Sequence, residues 1–271
     1  MLNEIEFEDI YAFHPSSYLE DYLEGEKITK KTFATKNNIS INKLEAFING
    51  EIDVNEKIAE KLYKATDISE GTWLRMQSRF DNKLKEIIKR RTKKLDSFSS
   101  ADIIDVASYI ANEYKEITKD NSSSDDTSII IDKLKLQKLL YFTQRESIAI
   151  NGKPAFKEDL EGWKHGPVSP LVYKSYSNGK FDIQTKDISE GLKYIIDNVI
   201  EGYGALDSWK LRNLSHKEIS WINSRENLDP NEEGHNPLKL DDIKIDAEKI
   251  RPFDYKLGVY YDDEHFFEKY K

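Results

Sequence analysis

The sequence contains no cysteine, which excludes disulfide bonds, thiolate zinc sites and a cysteine nucleophile. Long apolar runs are also missing, since none approaches the roughly 18–20 residues that a membrane-spanning helix needs. The N-terminal residues are acidic and lack the basic and then apolar pattern of a secretory signal. These absences predict a soluble, cytoplasmic protein that does not enter a membrane.

Basic residues are also fewer than acidic residues. The 271 residues include 41 Lys and Arg against 50 Asp and Glu, a net charge of −9. A uniformly basic coat for nucleic acid is therefore absent, and any DNA contact has to come from a local patch. The most basic segment is 83–94, with seven basic residues and one acidic residue, whereas 223–271 holds eight basic and thirteen acidic residues.

Apolar residues recur at helical spacing along most of the chain, and strand signals are few, so the predicted fold is mainly α. Pro15 suits the first turn of a helix. Thr29 and Ser40 are predicted to cap two short helices, because their hydroxyl oxygens can accept from free backbone N–H groups. Asn37 and Asn38 suit the tight turn between these helices, since Asn tolerates the left-handed conformation.

Further helices are predicted over 54–66, 69–94 and 131–150. A helix is also predicted after Ser99 and Asp102, whose spacing is that of a capping box. The predicted breaks in the chain are the polar stretches at 97–100 and 119–128, of which the second is rich in Ser and Asp and has nothing to bury.

Two short capped helices joined by a tight turn are typical of a helix-turn-helix motif. The sequence resembles the HigA-type antitoxin family over about residues 13–80. The resemblance lies in Phe13-His14-Pro15, Tyr18-Leu19, Ile28-Thr29, Phe33-Ala34, Ile39-Ser40, Leu44, Ile48-Asn49-Gly50, Ala59, Leu62, Ala65-Thr66, Trp73-Leu74 and Gln77. It implies an N-terminal helix-turn-helix bundle whose helix from Ser40 would lie in the major groove of DNA.

The resemblance implies six candidate DNA-binding residues, which are Lys30, Lys31, Lys36, Ser40, Asn42 and Lys43. The chain departs from a DNA-reading pattern at Glu45, Glu51 and Asp53, because base-reading helices use mainly Arg, Lys, Asn and Gln. Residues 14–80 hold ten basic and eleven acidic residues. Binding is therefore predicted to be weak and sensitive to salt, and the alternative is a scaffold that no longer binds DNA.

A second group of motifs occupies the C-terminal part. It consists of Leu134 to Tyr141, Asn151 to Phe156, Glu161 to Pro170, and Leu214 to His216 with Trp221. Together these pieces resemble the Panacea, or SocA-like, domain found in antitoxins, over about 98–250. The residues that carry the motif are Leu136, Gln137, Lys138, Leu139, Gly166, Pro167, His216 and Trp221. The resemblance implies a mostly helical domain with minor β structure.

The residues themselves support a structural role for this motif. Gly166 and Pro167 predict a turn. Gln137 and Lys138 interrupt an otherwise apolar helix and are predicted to pair with loop backbone. His165 and His216 are predicted to satisfy hydrogen bonds within the domain, because neither has a His or Cys neighbour with the spacing of a metal site. We therefore expect no metal and no cofactor.

No catalytic set is predicted. Ser215, His216 and Glu218 have the residue types of a hydrolase triad, but neighbours on one element point apart and rarely converge. The chain is therefore expected not to be an enzyme.

The C-terminal segment 251–271 mixes aromatic and acidic residues, which suits a protein interface. The candidate contacts to a partner are Trp163, Lys164, His165, Tyr260, Tyr261, Phe266 and Phe267. The alternative is that a final helix packs on its own domain.

These observations predict four parts: a HigA-like domain over 1–82, a basic helical linker over 83–97, a Panacea domain over 98–250 and an acidic aromatic tail over 251–271. The resemblances imply an antitoxin of a type II-like system that neutralises a cognate protein toxin by direct binding. That toxin would be an alarmone-synthetase-like enzyme or another translation-blocking protein. Repression of its own operon through operator DNA and a homodimer are further expectations. The alternatives are a DNA-binding regulator and a proteolytic adaptor.

Overall fold

The computed structural model describes residues 3–120, 130–178, 180–181 and 184–270. The chain forms two compact units, Met1–Thr92 with Lys256–Lys271, and Lys93–Tyr255. Most described residues are helical and the strands are short, so the predicted mainly α fold is confirmed. Most of the polar break predicted at 119–128 lies outside the described residues.

The first unit begins with a hairpin that sequence analysis did not predict. Strands β1 (Glu4–Phe7) and β2 (Ile10–Phe13) pair antiparallel. Buried and exposed residues alternate along both strands, as expected where one face of a hairpin packs on a core. Four residues in each strand are too few to give a strong periodic signal.

The helices of the first unit follow as α1 (Pro15–Gly25), α2 (Lys30–Lys36), α3 (Ile41–Ile48), α4 (Glu56–Thr66) and α5 (Glu70–Asp96), which continues past Thr92. Strand β8 (Val259–Tyr260) and helix α13 (Glu264–Lys269) also belong to this unit. Its core contains Leu19, Phe33, Leu44, Ala59 and Trp73. The predicted opening of a helix by Pro15 is confirmed.

The two short helices have the predicted limits. The Thr29 hydroxyl oxygen accepts from the Thr32 N–H, which confirms the cap, and Asn38 in the turn has φ +53°. Ser40 lies at the N-cap of α3, but its side chain makes no capping hydrogen bond, so that detail of the prediction is wrong.

The second unit is built around one buried helix, α7 (Lys133–Asn151). The other elements are α6 (Ile103–Asp120), β3 (Glu161–Trp163), β4 (Gly166–Val168), α8 (Pro170–Ser175), β5 (Tyr176–Ser177), β6 (Lys180–Phe181), α9 (Glu190–Tyr203), α10 (Ser208–Ser215), α11 (Ile219–Ser224), α12 (Leu240–Glu248) and β7 (Phe253–Asp254). Helices α6, α9, α10 and α12 pack against α7, and every residue from Lys135 to Ile148 is buried.

The start of α6 differs from the predicted capping box. Asp102 itself accepts from the Ile104 N–H at 2.9 Å, and the helix begins at Ile103. Ser99 lies outside the helix, and its backbone N–H donates to the hydroxyl of Ser189 instead. The Asp102 side chain, and not that of Ser99, therefore accepts from a free N–H group of the first turn.

Candidate functional site

The central helix of the second unit holds the β3–β4 hairpin from inside. The Nζ atom of Lys138 donates to the carbonyl oxygen of Pro167 at 2.7 Å. At the preceding position, the Gln137 Oε1 accepts from the backbone N–H of Ser169 at 2.7 Å. Both bonds confirm that these two polar residues pair with loop backbone. They satisfy backbone groups that would otherwise be buried and unpaired.

Gly166 allows this close approach. Its φ is +98°, and a Cβ atom at this position would lie 2.8 Å from both Cε and Nζ of Lys138. It pairs with Trp163 across the two-strand hairpin, so Lys164 and His165 form the tip of the turn. The predicted turn is confirmed.

Helix α11 supports the hairpin from the other side. The Trp221 indole N–H donates to the carbonyl oxygen of Trp163 at 2.9 Å. The His216 ring stacks on Trp221 with 3.6 Å between centroids and 21° between the planes. The Nε2 atom of His216 is buried and has no hydrogen-bond partner among the described residues. The prediction that His216 satisfies its hydrogen bonds is therefore wrong for this atom.

The surroundings of His216 are electrically positive. Burial, followed by the charges of Arg212 and Lys138, lowers the pKa of His216 to about 3. Burial, followed by the charge of Arg212, also lowers the pKa of Lys138 well below its ordinary value. His165 is exposed at the tip, and its pKa is lowered in the same direction by its partial burial and by Arg212 and Lys164. The lowered pKa of His216 keeps its imidazole neutral at physiological pH.

Aromatic side chains surround the tip of the hairpin. His165 lies edge-on to Trp209, with 5.6 Å between centroids, and Trp209 is 59% exposed. Trp163 contacts Tyr173 and His235 at 5.2 and 5.3 Å between centroids. The Trp163 indole N–H donates to the Glu161 carboxylate at 2.7 Å. The predicted residues Trp163, Lys164 and His165 therefore lie together on one surface that sequence analysis did not connect with Trp209.

A buried polar network lies behind the hairpin and was not predicted. The Tyr141 hydroxyl donates to the Asp246 carboxylate at 3.1 Å and lies 3.0 Å from the Ser220 hydroxyl. Asp246 also accepts from the backbone N–H groups of Ile219 and Ser220. It thereby caps the start of α11 from another helix, since the side chain of Glu218, the N-cap residue of α11, makes no capping hydrogen bond.

The Ser215, His216 and Glu218 side chains do not form a triad. The Ser215 hydroxyl donates to the Arg212 carbonyl oxygen, and Glu218 accepts from Arg145 at 2.7 Å. Burial raises the pKa of Glu218, while the charge of Arg145 opposes that shift. The Ser215 and Glu218 side chains are thus committed to structural partners other than His216.

One cavity in the second unit has the size of a small ligand. It encloses about 250 Å³, and its lining includes Glu146, Ile195, Asn198 and Tyr203. The Glu146 carboxylate already accepts from Arg145 and from the Tyr203 hydroxyl. The Asn198 side chain bonds to backbone atoms. Among the described residues, no cluster of three or more His, Asp or Glu side chains has the geometry to hold a metal ion.

Two comparisons with known proteins bear on this arrangement. Residues 136–222 match the sequence profile of the family described as Antitoxin SocA-like, Panacea domain. These residues form a Panacea domain. A 73-residue stretch is 44% identical to Antitoxin SocA of Caulobacter vibrioides (strain NA1000 / CB15N). That stretch covers 25% of this chain and 39% of the relative. No solved structure matches the chain.

The match confirms the resemblance to the Panacea domain and covers the hairpin, its supporting helices and the buried Lys138. The HigA-type resemblance stays a prediction. In the part of the chain that the structure describes, no helix has both the length and the apolar character needed to cross a membrane.

The six DNA-binding candidates lie on α2 and α3 or beside them, and all six are exposed. Lys30 forms an ion pair with Glu20 at 3.0 Å. Next to α3 lies an apolar groove of about 230 Å³, lined in part by Lys43, Phe47 and Lys61. The candidates thus lie on or next to two consecutive short helices. Their contact with DNA stays a prediction.

The aromatic residues of the tail belong partly to the core of the first unit. Phe266 is 4% exposed and packs edge-on against Phe267 and Tyr270. The Arg91 guanidinium lies 4.5 Å from the ring centroid of Tyr261 and 4.7 Å from that of Phe267. Burial removes Phe266 from the candidate surface. Tyr260 is 40% exposed, and its contact with a partner stays a prediction.

Proposed function

We propose that this protein is an antitoxin that neutralises a cognate protein toxin by binding it directly. The observation that carries the proposal is the Panacea domain over 136–222, with 44% identity to Antitoxin SocA over 73 residues. Because the chain matches 39% of that relative, the role of the whole protein is an inference from the shared domain.

The contacts of the Panacea domain favour a binding role over a catalytic one. Lys138, Gln137 and Glu218 are engaged in bonds that hold the hairpin and helices in place. Rigid support of an exposed loop is typical of recognition surfaces. We propose that the protein is not an enzyme and that it occludes the toxin's active site or holds the toxin in an inactive shape.

We propose that the toxin contacts the hairpin tip at Trp163, Lys164 and His165, and the tail at Tyr260. Tyr and Trp bury a large area with few rotatable bonds, and they are frequent at interface hot spots. The toxin would be an alarmone-synthetase-like or other translation-blocking protein. Action in the cytoplasm and as a homodimer is part of the same proposal.

Coexpression tests the proposal. The full-length chain and the product of the adjacent gene are induced separately and together in a heterologous bacterium. Growth arrest by the neighbour alone and rescue by the pair support an antitoxin. Continued arrest, with the chain folded and abundant, contradicts it. The neighbour's half-life separates two mechanisms, because a proteolytic adaptor shortens that half-life and a blocking antitoxin does not.

A second role in repressing the operon rests on the exposed lysines of the first unit. Lys31, Lys36 and Lys43 make no ion pair within the described residues and are free to contact phosphates. A mobility shift on upstream DNA at several salt concentrations tests this role. The Lys31→Ala, Lys36→Ala double variant should weaken binding and lower the salt slope. The control is Lys57→Ala with Lys64→Ala on α4, which should bind as the wild type does.

A further inference from the structure

The Panacea domain contains a group of cations that lack acidic partners. Lys138 and Arg225 are buried, and each donates only to backbone carbonyl oxygens, namely those of Pro167 for Lys138 and of Gly162, Asp229 and Glu232 for Arg225. Arg212 donates to the side chain of Asn213. Within the described residues, none of these three cations forms a salt bridge. Arg145 differs, since it contacts both Glu218 and Glu146.

Two buried nitrogen atoms in this group also lack a partner among the described residues. They are Nε2 of His216 and Nε of Arg212. A cation removed from water without a counter-charge raises the free energy of the folded state. Arg212 and Arg225 therefore contribute positive potential without a counter-charge, whereas burial opposes the charged form of Lys138. The charge of Arg212 also lowers the pKa of His216, in addition to the larger effect of burial.

The positive potential reaches the surface beside an exposed aromatic ring. The Arg212 guanidinium lies 5.9 Å from the ring centroid of Trp209. His165 packs edge-on against the same ring, and Lys164 is its neighbour in the hairpin turn. Arg and Trp are the residue types that most often dominate the energy of protein interfaces.

We propose that Lys164, His165, Trp209 and Arg212 form a docking surface for an acidic segment of the toxin, with a carboxylate of that segment accepting from Arg212. We call these four residues the cationic tip. Arg binds carboxylates in a fixed two-pronged geometry, and the exposed Trp209 ring supplies apolar area beside it. The inference rests on the proposed function and names the chemistry of the partner.

A protein partner fits this surface better than a nucleic acid. Nucleic acids are held by many cations arranged along the backbone. The cationic tip instead concentrates its charge at Lys164 and Arg212, because Arg225 is buried inside the fold and cannot extend a surface track. Lys210, on the same helix as Arg212, lies 3.9 Å from Asp207. The geometry favours a single carboxylate cluster over a phosphate track.

Binding of the purified toxin to the full-length chain tests the proposal by titration calorimetry. Arg212→Glu should weaken binding by about 100-fold and Trp209→Ala by about 10-fold or more. The matched controls are Lys186→Glu, an exposed charge reversal, and Leu240→Ala, an exposed apolar truncation. Both controls should stay within about 3-fold of wild type. Circular dichroism verifies that each variant is folded, and Trp209→Ala carries little folding risk because its side chain is mostly exposed.

The outcomes separate the two proposals. If the wild type binds the toxin and both Arg212→Glu and Trp209→Ala bind it with unchanged affinity, the cationic tip is not the docking surface. The antitoxin role would still stand. Absence of wild-type binding overturns the antitoxin role and this inference with it. A single-stranded oligonucleotide of about 20 nucleotides is the second probe. If the variants lose the oligonucleotide and keep the toxin, the surface binds nucleic acid and the inference is wrong.

Discussion

Gly166 and Ser215 pack so closely that a Cβ atom at position 166 would lie 2.6 Å from the Ser215 Oγ. Gly166 begins strand β4 of the hairpin and Ser215 ends helix α10, so the contact joins two separate motifs of the Panacea domain. The Lys138 amine lies on the same side of Gly166 and completes the packing. The close packing around the hairpin thus requires a residue without a side chain at position 166.

Gly166→Ala should destabilise the protein by about 2–4 kcal/mol, because strain at positive φ adds to the steric clash. Gly152→Ala is the control. Gly152 also has a positive φ, +71°, but a Cβ there would meet nothing within 4 Å. Gly152→Ala should lower the free energy of unfolding by only about 1 kcal/mol. Urea unfolding of both variants measures the difference, and equal losses would show that the packing around Gly166 is looser than described.

Asp246 is expected to be the most sensitive acid of the buried polar network. Asp246→Ala leaves the Tyr141 hydroxyl and the N–H groups of Ile219 and Ser220 without their acceptor. The expected loss is about 3 kcal/mol or more of unfolding free energy. Asp241→Ala, at an exposed residue of the same helix paired with Lys244, should cause no measurable loss. Similar melting temperatures for both variants would contradict the network.

His14 should make the stability of the first unit depend on pH. Burial lowers the pKa of His14 from 6.5 to about 4; the charge of Asp53 opposes this shift, and the charge of Lys269 adds to it. The folded state therefore keeps the ring neutral while the unfolded state takes up a proton below pH 6.5, so stability falls as the pH drops from 6.5 towards 4. The loss at pH 5 should be about 2 kcal/mol relative to pH 7.

His14→Asn is the matched variant, because Asn can still cap α1 as the His14 Nδ1 does for the Ser16 N–H. The variant is expected to be less stable at pH 7, since a smaller side chain faces Phe47 and Phe80. Its stability should nevertheless change less between pH 7 and pH 5 than that of the wild type. Parallel pH profiles for the two proteins would show that His14 does not titrate as expected.

Local signals in the sequence predicted local structure well. The cap at Thr29, the turn at Asn38 and the turn at Gly166 each depend on neighbours within a few residues. The pairing of Gln137 and Lys138 with loop backbone was also predictable, because polar residues on a buried helix need partners. Their partners were not, since Pro167 and Ser169 lie about thirty positions away.

Long-range relationships account for what the sequence did not show. Asp246 caps α11 from α12, and Trp209 joins the hairpin tip through His165. Neither pair has a characteristic spacing. The burial of Phe266 was equally hidden, because an aromatic residue among acids fits an interface and a core contact alike. The structure distinguishes the two alternatives because it shows that the Phe266 ring is buried.

We propose that this chain neutralises a toxin by binding it without a chemical reaction. The most direct test mixes the purified full-length chain with the purified toxin and measures the stable complex, its dissociation constant and the toxin's activity. The account predicts a complex in which inhibition rises with occupancy to a one-to-one end point and both proteins keep their intact masses. Inhibition by substoichiometric amounts of the chain, or a toxin left covalently altered after separation, would contradict it.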